Sequence, residues 1–73
     1  MRPTTKRIAI DIVALNAIPA DRRGADWRIA KDLLTEAAGY IKLGHDLQAE
    51  ALRKAAAPYL RFAELVSPAD AWY

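Results

Sequence analysis

The chain has 73 residues, a net charge of +2, no cysteine and one histidine, which together describe a single domain without a disulfide framework. His45 alone cannot build a tetrahedral zinc site, and no apolar run reaches transmembrane length. A domain of this size buries only about 60% of the surface its unfolded chain exposes, so association with another chain is the remaining source of support.

The first segment, residues 5–18, carries two patterns. Ile8, Ile10 and Ile12 alternate with Ala9 and Asp11 in the manner of a β-branched strand. Ile8, Ile12 and Leu15 also follow helical spacing, with Ala9, Val13 and Ala17 beside them and Asp11 outside. A lone strand would find no partner in an otherwise helical chain, and Pro19 stops a helix just after Ile18, so the spacing predicts a helix. Residues 19–25, rich in Pro, Gly and charge, predict a turn or short loop.

Residues 26–43 predict a second helix with a wide apolar face. Trp27, Ala30, Leu34, Ala37 and Ile41 recur at steps of three and four, and Ile29, Leu33, Ala38 and Tyr40 widen the stripe. Asp26 is expected as the N-cap and Gly44 as the left-handed stop. A third helix, residues 46–66, is expected to begin at Asp46 and to kink at Pro58. Leu47, Ala51, Leu52 and Ala55 are expected on its inner face, packed against the second helix as an αα-hairpin. Ser67, Pro68 and Asp70 have the order of a fresh helix start, predicting a short fourth helix over 67–72. The expected fold is therefore an all-α, three- to four-helix domain over residues 1–73.

The chemistry-bearing residues are sparse. Ser67 reads as a cap, and nothing places His45 beside it as a base. Asp46 and Glu50 read as ordinary acids at a helix start, and the three glycines are scattered rather than gathered into a phosphate loop. The expectation is a protein without enzymatic activity, metal or cofactor.

Charge is unevenly placed. Residues 1–31 carry seven basic and three acidic side chains, whereas residues 32–73 carry four basic and six acidic. Arg22, Arg23, Arg28 and Lys31 crowd the start of the second helix, where cations oppose the helix dipole. Asp21, Asp26 and Asp32 are near enough in sequence to pair with them, Arg28 with Asp32 at i,i+4. The other offset is an external anion, with Trp27 as an anchor beside the arginines. Arg22, Arg23, Trp27, Arg28 and Lys31 are thus the expected partner-binding residues. A second candidate interface is the aromatic tail: Tyr59, Phe62, Trp72 and Tyr73.

The Gly44-His45-Asp46 turn, with Ala51, Ala55 and Pro58 after it, resembles the second half of a tetratricopeptide repeat. The large residues of the preceding helix depart from that pattern and no second copy follows, so no repeat array is read. The expected function is a small cytoplasmic protein–protein interaction module, a regulator or stoichiometric inhibitor of the kind bacteriophages encode. It would occupy an acidic surface on its partner, act as a homodimer and have no membrane association. The alternative is a small DNA- or RNA-binding regulator using the basic elbow from Arg22 to Lys31, although Asp46, Gln48 and Glu50 after the Gly44 turn would repel phosphate in a helix-turn-helix.

Overall fold

The computed structural model describes residues 3–62, which form three helices: α1 (Pro3–Asn16), α2 (Ala25–Lys42) and α3 (Asp46–Phe62). A short 3-10 turn, Ala20–Arg22, lies between α1 and α2. No strand occurs among the described residues, so the isoleucine run of α1 is helical, as expected. The expected short helix over 67–72 lies outside the described residues.

The boundaries follow local chemistry. Pro3 opens α1, at a position where its missing N–H would have had no intrahelical acceptor. Gly24, rather than Asp26, is the N-cap of α2, in an extended conformation and without a side-chain hydrogen bond. Asp26 falls inside the first turn, where its charge favours the dipole. At the other end Gly44 takes φ +77°, the left-handed position expected of it. His45 N–H donates to Tyr40 O at 2.9 Å and Gly44 N–H donates to Ile41 O at 3.0 Å, the paired bonds of a Schellman motif. The His45 ring stacks on Tyr40, ring centroids 6.1 Å apart, closing the motif with a side-chain contact. α3 continues through Pro58 to Phe62. Pro58 is exposed, and its ring lacks the N–H that would have bonded the carbonyl of Lys54.

α2 and α3 pack along their lengths as an antiparallel hairpin, and α1 lies against both. Each hairpin helix presents a seam with the same 4-3-4 spacing: Ala30, Leu34, Ala37 and Ile41 on α2, Ala49, Arg53, Ala56 and Leu60 on α3. The four alanines of these seams are fully buried, and their short side chains let the helix axes approach closely. One part of the core gathers Leu15, Trp27, Ala30, Leu34, Ala56 and Leu60; the other gathers Ile8, Ala37 and Ala49.

Two inner faces differ from expectation. On α3, Leu47 is 85% exposed and Ala51 and Ala55 also face solvent; only Leu52 of the expected set is partly buried. The true seam is harder to see because Arg53 occupies one of its positions. On α1, Asp11 is buried while Ala9, Val13 and Ala17 are exposed, the reverse of the expected flanks. Both reversals have one cause: the α1–α3 contact contains charge.

Because Ala37 is fully buried between close-packed helices, Ala37→Leu should overpack the seam and cost about 1–3 kcal/mol. Ala55→Leu, at an exposed position, should change stability by less than about 0.5 kcal/mol. Chemical denaturation of both variants checks the contrast.

Candidate functional site

Of the five residues expected to meet a partner, two are built into the joint between α1 and α2. Trp27 is 6% exposed, and its indole N–H donates to Leu15 O at 2.8 Å. Arg23 follows the 3-10 turn, and its guanidinium reaches back to the end of α1. Its Nε donates to Ile18 O at 2.9 Å and its Nη2 to Asn16 O at 3.0 Å. The same group lies 4.5 Å from the centroid of the Trp27 ring. Arg23 therefore satisfies carbonyls at the negative end of α1 while stacking on the first aromatic of α2.

The other three, Arg22, Arg28 and Lys31, are exposed. Lys31 Nζ stands 5.4 Å from the centroid of the Trp27 ring. The expected pairing of Arg28 with Asp32 does not form. Neither residue makes an ion pair with any described residue, and the same is true of Asp21 and Asp26. The start of α2 thus presents Arg28 to solvent close to the positive end of the dipole, with Asp26 in the first turn as a local counterweight, and Lys31 one turn further along.

Away from the elbow, an ionic cluster joins α1 to α3. Arg53 is 6% exposed and Asp11 1% exposed, with Nη1 and Oδ2 3.9 Å apart. Arg53 also donates to Glu50 Oε1 through Nη2 at 2.9 Å and through Nε at 3.2 Å. Arg7 approaches Glu50 Oε1 to 3.7 Å. The Arg53 hydrogen bond holds the Glu50 carboxyl below its ordinary value against the opposing effect of burial, aided by the charges of Arg53 and Arg7 and by a hydrogen bond from Thr4. Sequence spacing treats Glu50 as a plain helix acid and misses this cluster. The available signal was Arg53 standing four residues after Ala49 and three before Ala56, on the seam.

The remaining candidates are dispersed. Tyr59 is half-buried beside the Leu15–Trp27–Leu60 core, Phe62 ends α3, and Trp72 and Tyr73 lie outside the described residues. His45 is exposed and engaged with Tyr40. Among the described residues no three His, Cys, Asp or Glu side chains converge as metal ligands. Nor is any described helix long and apolar enough to cross a membrane. Comparison with protein-family models, with curated proteins and with solved structures finds no match for this chain.

Truncating the joint should cost stability where truncating the exposed cation does not. Arg23→Ala is expected to lose about 1–3 kcal/mol through two carbonyls left without their charged donor. Arg28→Ala should stay within about 0.5 kcal/mol of the parent, as denaturant melts will show.

The Glu50 cluster sets a pH dependence. A carboxyl whose folded pKa is lowered adds stability above its unfolded pKa and loses it as pH falls through the folded value. Thermal melts between about pH 7 and pH 3 should therefore show falling stability, and Glu50→Gln should remove part of that slope.

Proposed function

We propose that the protein is a small non-enzymatic interaction module, a regulator or stoichiometric inhibitor that self-associates and occupies an acidic surface on a larger protein. The carrying observation is Arg28 at the edge of the elbow: it is exposed, lies near the positive end of its own helix and makes no ion pair with a described residue. A folded chain gains nothing from such a charge, whereas an acidic partner would pair it and the dipole together. Arg22 and Lys31 extend the basic surface on either side. Trp27 supports this surface from beneath, its ring lying under Lys31 and Arg23. Its burial suits a platform for the cations better than an anchor inserted into a partner.

The test is capture from a native lysate at low and moderate salt, comparing the parent with the double variant Arg28→Glu, Lys31→Glu. The variant should melt within about 1 kcal/mol of the parent, since only the exposed Lys31–Trp27 contact is lost. A captured protein that the parent holds and the variant loses supports the proposal. Capture that survives the reversal refutes the elbow as the contact surface. Capture abolished by nuclease treatment and falling steeply with salt assigns the elbow to nucleic acid instead.

A further inference from the structure

The exposed side of α2 is divided lengthwise by charge. Arg28, Lys31, Thr35 and Lys42 follow one another at steps of three, four and seven, which keeps them on a single stripe. Helical spacing puts the acids of α2 elsewhere. Asp32 and Glu36 lie further round the helix, away from α1, and Asp26 lies on the far flank of the seam that meets α3. All four stripe residues are exposed, and none of the three cations makes an ion pair with a described residue.

The stripe borders α1. Trp27, which bonds Leu15 O, and Ala38, which packs against the Ile8 cluster, lie between it and the α2 seam. On α1, Arg7 and Asp11 turn toward α3, so the opposite flank, with Thr5, Ala9 and Asn16, is the one beside α2. Those three residues are uncharged. The middle of the stripe is also low. The Thr35 hydroxyl donates back to Lys31 O at 2.8 Å, and a Cβ placed at the neighbouring Gly39 would meet nothing within 4 Å. Lys31 and Lys42 thus stand at the two ends of a shallow saddle of small side chains.

We propose that an acidic amphipathic helix of the partner lies along this stripe, its carboxylates meeting Arg28 and Lys31 at one end and Lys42 at the other. This gives the acidic partner proposed above, on which it rests, a shape and a track. From Arg28 to Lys42 the stripe runs about 21 Å at 1.5 Å per residue. A helix crossing α2 at about 20° stays in step with a three-four-seven spacing over that length, and small side chains at the centre let the two axes approach. A nucleic-acid backbone fits less well. A duplex carries one charge per about 1.7 Å of axis, so the cation-free saddle between Lys31 and Lys42 would leave several phosphates unpaired.

The experiment is titration of the isotope-labelled chain with a stapled helical peptide of about 20 residues, followed by amide NMR at about 50 mM salt. The peptide is alanine-based and carries its glutamates along one face. A second stapled peptide of the same composition spreads them around all faces. Shifts are expected along the α2 stripe and at Thr5, Ala9 and Asn16, with the second peptide binding at least about fivefold more weakly. Lys42→Ala should weaken the first peptide at least about threefold, with helicity and melting checked alongside because Lys42 also suits the end of α2. Lys54→Ala, removing an exposed cation of α3, should leave binding as it was. Equal binding of the two peptides, or an equal loss in the Lys42 and Lys54 variants, reduces the attraction to net charge and overturns the helical track. Binding lost in Arg28→Glu, Lys31→Glu but kept in Lys42→Ala overturns the track and leaves the elbow standing. Absence of peptide binding overturns the track as well, while the elbow is still read through the lysate capture. A duplex of about 20 base pairs that shifts the same resonances at lower concentration than the peptide overturns the helical partner in favour of nucleic acid.

Discussion

The C-terminal end of α1 is fixed on α2 by one buried hydrogen bond, from the Trp27 indole to Leu15 O. The last carbonyls of a helix have no intrahelical donor, and burying them without one is costly. Trp27 meets one such carbonyl from inside the core, and Arg23 meets that of Asn16 and, just past the helix, that of Ile18 from the edge. Because Trp27 lies in the first turn of α2, just before Ala30 of its seam, the bond that finishes α1 fixes where α2 begins. The 3-10 turn between them is short, and Arg23 reaches back over it. The elbow is therefore a rigid corner, and the exposed cations beside it are held at set positions relative to both helices.

The other end of α1 is placed by charge. Each of the two helices carries one cation and one anion in the cluster, Arg7 and Asp11 on α1, Glu50 and Arg53 on α3. The pairs cross the interface, Arg7 to Glu50 and Asp11 to Arg53. Sliding α1 by one helical turn would set like charges side by side in a buried setting, which removing a partner from a buried pair shows to be expensive. An apolar α1 seam of Ile8, Ile12 and Leu15 would tolerate such a slip far better. The crossed ion pairs thus disfavour other registers of α1 in a way that an apolar seam alone would not.

How much of this could be read beforehand divides along the same line. The α2 stripe was legible because every position on it is apolar; Trp27, Ala30, Leu34 and Ala37 are buried as the spacing implies. The Gly44 stop was legible because positive φ selects glycine. The inner faces of α1 and α3 were not, since hydrophobic periodicity treats Asp11 and Arg53 as solvent-facing by type. Their burial is decided by each other, across more than forty residues of sequence, and no local pattern carries that. Within the basic elbow the residue types were right, but the division of labour was hidden. Arg22, Arg23 and Arg28 look alike in sequence, and only the location of the α1 carbonyls selects Arg23 as structural.

The corner also explains how so many cations can sit at one helix start. The segment between Asn16 and Ala25 folds back so that Trp27 and Arg23 reach the carbonyls of Leu15 and Asn16, and the negative end of one dipole lies beside the positive end of the other. Arg23 stands between them, bonded to the carbonyls of Asn16 and Ile18, where its charge is favourable to α1. That favourable interaction offsets its proximity to the start of α2. Arg28 has no such compensation, because it lies one turn further along α2, away from the end of α1. The unfavourable part of the elbow is therefore confined to its outer edge, which is also the part open to solvent. An anionic surface arriving there would meet a backbone already placed by the corner, leaving the exposed side chains of Arg28 and Lys31 to be ordered on contact.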